Sequence, residues 1–134
     1  MDDLEALKSE NISIRLVKGA YNENKSIAFI EVDDIRGNFL KLADILSNYQ
    51  SDQDAIATQD EVILNTLLRN DSYKKLAFEF LFGVRKDLQN KFNKEHSVGI
   101  YLPYGSNWLP YTMRRLSEWK NIKFIAKNLI KEKL

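Results

Sequence analysis

The sequence predicts an α/β protein built from parallel βα units, and three observations lead there. Four short apolar runs, residues 12–17, 55–58, 78–82 and 98–102, have the length of strands. They are nearly continuous, without the apolar–polar alternation of a sheet that has one wet face, so burial on both sides is expected. Each run is followed by a segment with helical spacing, and strands alternating with helices of this length imply βαβ units and a parallel sheet.

After the first run, residues 30–49 carry Phe39, Leu40, Leu42, Ala43, Ile45 and Leu46 as an apolar helical stripe. After the second, Asp60 stands where an N-cap is wanted, ahead of Val62, Ile63, Leu64, Leu67 and Leu68. A shorter helix is predicted over 86–94. A long one is predicted over 109–134, past a loop containing Pro103 and Gly105. The units recur without self-similarity, so architecture repeats here and not a solenoid motif. Four such units suit a small doubly wound domain as well as half of an eight-stranded barrel, and periodicity does not separate the two.

Composition narrows the chemistry. A chain of 134 residues with 44% apolar and 29% charged side chains is that of a soluble globular protein with one core, so residues 1–134 are read as one domain. No run approaches 18 apolar residues, and the first residues are acidic where a leader would be basic, so a cytoplasmic chain without an integral membrane segment is expected, peripheral membrane contact being left open. With no cysteine, disulfides, thiolate metal sites and Cys nucleophiles drop out. No His, Asp and Glu cluster has metal-ligand spacing. Residues 1–60 hold 12 acids against 6 bases and residues 111–134 hold 7 bases against 2 acids. Because Leu116, Phe124 and Ile125 interrupt the basic tail, it reads as the wet face of an amphipathic helix and not as a nucleic-acid contact. His96, in a polar stretch before the fourth run, is expected to be exposed and to have no catalytic role.

The first run ends in Arg15, Leu16, Val17, Lys18, Gly19, Ala20 and Tyr21; the third in Phe78, Glu79, Phe80, Leu81, Phe82, Gly83, Val84 and Arg85. The fourth leads through Tyr101, Leu102, Pro103, Tyr104 and Gly105 to Trp108, Pro110, Tyr111 and the run Arg114, Arg115, Leu116, Ser117, Glu118. These three motifs, in this order and covering residues 12–125, closely resemble the signatures of strands five, seven and eight of the proline dehydrogenases. Asp3, Leu4, Glu5 and Leu7 look like the helix after strand four of that family, so the chain resembles the carboxy-terminal half of its (β/α)8 TIM-type barrel. Strands one to four, which in the family bring a lysine and an aspartate to the substrate and a glutamine to the flavin, would lie outside this chain.

The resemblance implies a flavin enzyme that uses FAD to oxidise L-proline to Δ1-pyrroline-5-carboxylate, with a quinone-type electron acceptor. By the same resemblance Arg15 and Tyr101 are catalytic, Arg15 lying beside the reactive edge of the flavin. Arg114 and Arg115 hold the substrate carboxylate, a task suited to the planar guanidinium fork. Tyr21, Leu81 and Tyr111 wall the substrate pocket with Tyr101. Arg15, Val17, Gly19, Thr58, Gln59, Asp60 and Glu118 belong to the cofactor site. Gln59 stands where the family usually has histidine and Glu79 where it usually has glutamine, which adds negative charge near the site. A flavin reading rests on this resemblance, since no Gly-rich dinucleotide fingerprint is present. Taken without it, Arg15 reads as a strand-end arginine salt-bridged to a neighbour, the Arg114–Arg115 pair as a solvated face, and Leu81 as core. With half of the family's pocket outside it, this chain alone is expected to be incomplete and inactive, and the alternative is a truncated, non-catalytic half-barrel fragment that associates but binds no flavin. Such a half exposes two sheet edges, so a homo-oligomer that buries them is expected.

Overall fold

The computed structural model describes residues 2–19, 23–49, 51, 53–82, 84–102, 104 and 105. The order is α1 (Asp2–Ser9), β1 (Arg15–Val17), α2 (Val32–Asn48), β2 (Ala55–Ala57), α3 (Glu61–Leu68), a 3-10 turn (Asp71–Tyr73), β3 (Ala77–Leu81), α4 (Lys86–Phe92) and β4 (Val98–Tyr101). All four predicted strands are present, each at or inside its apolar run except that β3 begins one residue earlier. The helix expected over 109–134 lies outside the described residues.

The strands form one parallel sheet in the order β1-β2-β3-β4. That order decides what periodicity left open. A doubly wound sheet reverses its strand order at a switch point, and none occurs among these four strands. The sheet is an α/β arrangement of the kind expected for half of a (β/α)8 barrel.

Leu16, Ile56, Phe78 and Val98 are in lateral register, so they point to one side of the sheet. Against them pack Phe39, Ala43 and Leu46 of α2, Ile63, Leu64 and Leu67 of α3, and Leu88 and Phe92 of α4, in one cluster that also takes in Phe80, Tyr73 and Leu76. In α2 the buried residues Phe39, Ala43, Leu46 and Ser47 recur at spacings that keep them on one stripe. Asp33 and Asp34 in its first turn oppose the positive end of the helix dipole. Tyr73 ties the 3-10 turn to α2 by donating its hydroxyl hydrogen to Asp44. Burial, reinforced by that carboxylate, pushes the Tyr73 phenol up to about 12.

At the amino-terminal end of the sheet, Ile14 joins the ladder through its carbonyl alone, which accepts the Ala55 amide hydrogen at 2.9 Å. Its amide donates to the side chain of Asp54 at 2.8 Å, so a carboxylate takes the place of a neighbouring strand carbonyl and β1 begins only at Arg15. The same carboxylate receives the ammonium of Lys8 from α1 at 2.7 Å, and both side chains are buried.

His96 departs from expectation, being buried and not exposed. Its neighbours in sequence are polar, but the fold lays it on the Phe78 ring at 4.8 Å and the Phe92 ring at 5.5 Å. Burial holds the imidazole below its ordinary value of 6.5. The unfolded chain therefore binds a proton at His96 before the folded one does. Stability should rise with pH between the depressed value and 6.5, and fall as acid is added through that window. Urea midpoints at about pH 7.5 and about pH 5.5 read this directly. His96→Gln should flatten the difference, and an unchanged slope in that variant would assign it to other groups.

Candidate functional site

Because the strands are parallel, all their carboxy-terminal ends and the segments that follow lie along one edge of the sheet, the end at which α/β proteins assemble their sites. The second face of the sheet, away from the helices, carries Arg15 and Val17 on β1, Ala55 and Ala57 on β2, Ala77, Glu79 and Leu81 on β3, and Gly99 and Tyr101 on β4. Four of these nine are alanine or glycine. Such residues leave the middle of this face shallow and let longer side chains lie across it.

Arg15 uses that space. Its side chain crosses β2 to Glu79 and makes two contacts, Nε to Oε2 at 2.7 Å and Nη2 to Oε1 at 3.0 Å. Glu79 is in register with Ala57 and Gly99, one pleat nearer the carboxy-terminal edge than the backbone of Arg15. A Cβ added at Gly99 would stand 3.2 Å from Glu79 Cγ, so the absence of a side chain there gives the glutamate room. Arg15 thus opens β1 instead of closing it, and it carries the salt bridge that an unaided reading of the sequence assigns to it. Leu81 and Tyr101 are the last residues of β3 and β4 and are level with each other; Leu81 is buried and Tyr101 is half exposed.

Beyond the strand ends, Asp60 gathers three elements. Its side chain accepts from Val62 N at 3.0 Å and so caps α3. It also receives Lys18 from the segment after β1, and Arg36 Nε from α2 at 3.0 Å. Burial alone would raise this carboxyl, but the two cations outweigh it and hold Asp60 below the usual carboxylate range. Thr58, buried, accepts the Asp60 amide hydrogen at 3.2 Å. Gln59 points a buried Oε1 that has no hydrogen-bond partner among the described residues. On the next loop Arg85, with φ 53°, bonds Glu61 at 3.0 Å and Asp87 at 2.8 Å, and so links the starts of α3 and α4.

Of the residues singled out in the sequence, Arg15, Val17, Leu81 and Tyr101 share one face of the sheet, and Gly19, Thr58, Gln59 and Asp60 follow its strands at one edge. Tyr21, Tyr111, Arg114, Arg115 and Glu118 lie outside the described residues. Sequence reasoning missed Lys18 and Arg36 as partners of Asp60. It noted the charge of Glu79 but not that Arg15, 64 positions away, would take it up. No local signal marks a pairing at that separation. Among the described residues no helix is long and apolar enough to cross a membrane, and no group of His, Cys, Asp or Glu could hold a metal ion.

No family model matches the chain. Among curated proteins it is similar to "Proline dehydrogenase 2" of Bacillus subtilis, 35% identical over 142 residues that cover 97% of this chain and 45% of that protein. "Proline dehydrogenase 1" of the same organism is 33% identical over 98% of this chain and 45% of its own length. "Proline dehydrogenase" of Deinococcus radiodurans is 34% identical over 98% of this chain and 44% of its own length. The chain therefore spans just under half the length of the curated relatives it matches, the share expected of one half of a barrel.

Proposed function

We propose, for a chain homologous over nearly its whole length to one stretch of the proline dehydrogenases, that it forms part of a flavin-dependent enzyme that oxidises L-proline to Δ1-pyrroline-5-carboxylate. The observation that carries this reading is the second sheet face, where Arg15, Leu81 and Tyr101 share a shallow surface floored by Ala57 and Gly99. The residues present suit a flavin. Small side chains leave room for a flat ring system, and Gln59 offers a buried carbonyl oxygen that still lacks a donor. When bound, FAD would supply the acceptor for the hydride that leaves proline C5.

This chain's own residues would do the rest. Arg15 offers a fixed cation on the face where negative charge develops. Leu81 and Tyr101 form an apolar and aromatic wall that excludes water from a small ring. Arg114 and Arg115 provide guanidinium forks for the proline carboxylate, with Tyr21 and Tyr111 as further walls. Val17, Gly19, Thr58, Asp60 and Glu118 complete the cofactor side, with a quinone-type compound as the acceptor of electrons.

The test is spectroscopic. Joined to the other half of a proline dehydrogenase barrel, the purified protein should show the absorbance band of oxidised flavin, and L-proline added without oxygen should bleach it. A coloured protein that proline leaves unbleached would overturn the substrate assignment. A colourless protein with no extractable flavin would favour the second reading, a non-catalytic half-barrel. One observation supports that reading: β1 and β4 each pair on one side only among the described residues. Two copies joined edge to edge would then close the sheet, and sedimentation equilibrium would find a dimer.

A further inference from the structure

The site's salt bridge has a consequence for the charge that the proposed flavin would meet. Arg15 alone would present a full positive charge on the second face of the sheet. It is not alone. Glu79 holds it at 2.7 and 3.0 Å through two separate nitrogens, in the bidentate form that fixes both the distance and the plane of a guanidinium. The glutamate is the better sheltered of the two, its side chain 20% exposed against 55% for Arg15, so the carboxylate is the anchor and the arginine is what is held. Gly99 contributes to the anchor, since any side chain there would press on the Glu79 stem. Nε and Nη2 are engaged, which leaves the Nη1 side of the fork directed by the pair and available to a ligand.

We propose that Glu79 is a positioning residue that acts through Arg15: it aims the guanidinium and cancels most of its charge, and so lowers the reduction potential of a flavin bound to this face. The inference rests on the flavin reading above. A reduced flavin carries more negative charge than an oxidised one, and a bare cation nearby stabilises it more than a neutral ion pair does. Charge cancellation and orientation predict opposite outcomes when the carboxylate is replaced by an amide of the same shape. Loss of orientation alone would loosen Arg15 and lower the potential or leave it unchanged. Loss of the cancelling charge raises it.

The experiment is Glu79→Gln in the flavin-loaded protein, equilibrated anaerobically with a reference dye. The expected result is an increase of about tenfold in the ratio of reduced to oxidised flavin at a fixed solution potential, equivalent to an upward shift of about 30 mV for a two-electron couple. An unchanged or lowered ratio, with flavin still bound and thermal unfolding still cooperative, overturns the role of Glu79 while leaving the enzyme reading intact. A wild-type protein that takes up no flavin overturns both. As a second variant, Arg15→Met should lower the ratio, and a rise there would also refute the proposal.

Discussion

Asp54→Ala should destabilise the fold by about 3–5 kcal/mol, the loss typical of breaking a buried ion pair from one side. Asp54 is fully buried, and its two oxygens serve different elements. One accepts the Ile14 amide hydrogen at 2.8 Å and the other the Lys8 ammonium at 2.7 Å. Removing the carboxylate strands the Lys8 charge, which keeps among the described residues a 3.4 Å bond to the Ile12 carbonyl and the Tyr49 ring at 5.4 Å. It also leaves a strand-edge amide without its acceptor. A domain holds only about 5–15 kcal/mol in total, so the urea midpoint should fall steeply or the variant should fail to accumulate. The double change Lys8→Met with Asp54→Leu should recover most of the loss, because apolar replacement of both partners removes the desolvation cost together with the attraction. A single variant within about 1 kcal/mol of wild type would mean that α1 is not held to the sheet by this pair.

Phe78→Ala is expected to cost about 3–5 kcal/mol as well, through a different mechanism. Phe78 has no exposed surface, sits in the middle of the lateral row, and meets Phe92 at 4.6 Å and His96 at 4.8 Å between ring centres. Its removal opens a cavity between its lateral neighbours Ile56 and Val98 and the Phe92 ring of α4. Phe78→Leu should keep roughly half of the lost stability, since it restores most of the apolar volume but not the ring contacts. The same variant carries an independent readout. With one of its two aromatic covers gone, His96 should become better hydrated and its depressed titration should move back towards 6.5, which NMR titration of this single histidine can follow. An unmoved titration in a folded Phe78→Ala protein would show that the Phe92 side alone controls the imidazole.

By itself the sequence determined the elements and their faces. Apolar runs marked the four strands, the stripe from Phe39 to Leu46 marked the buried side of α2, and the position of Asp60 announced the start of α3, which its side chain caps. These features are local, since each depends on residues within a turn or two of one another. The resemblance of the chain to the proline dehydrogenases was equally legible, as the similarity over nearly its whole length bears out. Periodicity left a doubly wound sheet and half a barrel open, and the resemblance of the motifs already chose the half-barrel; the strand order itself came only from the tertiary structure. It also joined Arg15 to Glu79 across 64 positions and Lys8 to Asp54 across 46, and it buried His96 despite polar neighbours in the chain. The physical reason is common to all of them. Periodicity tells a residue which side of its own element it occupies, but the partner it meets there depends on which elements are packed or paired alongside, and parallel strands become neighbours only through crossovers of many residues.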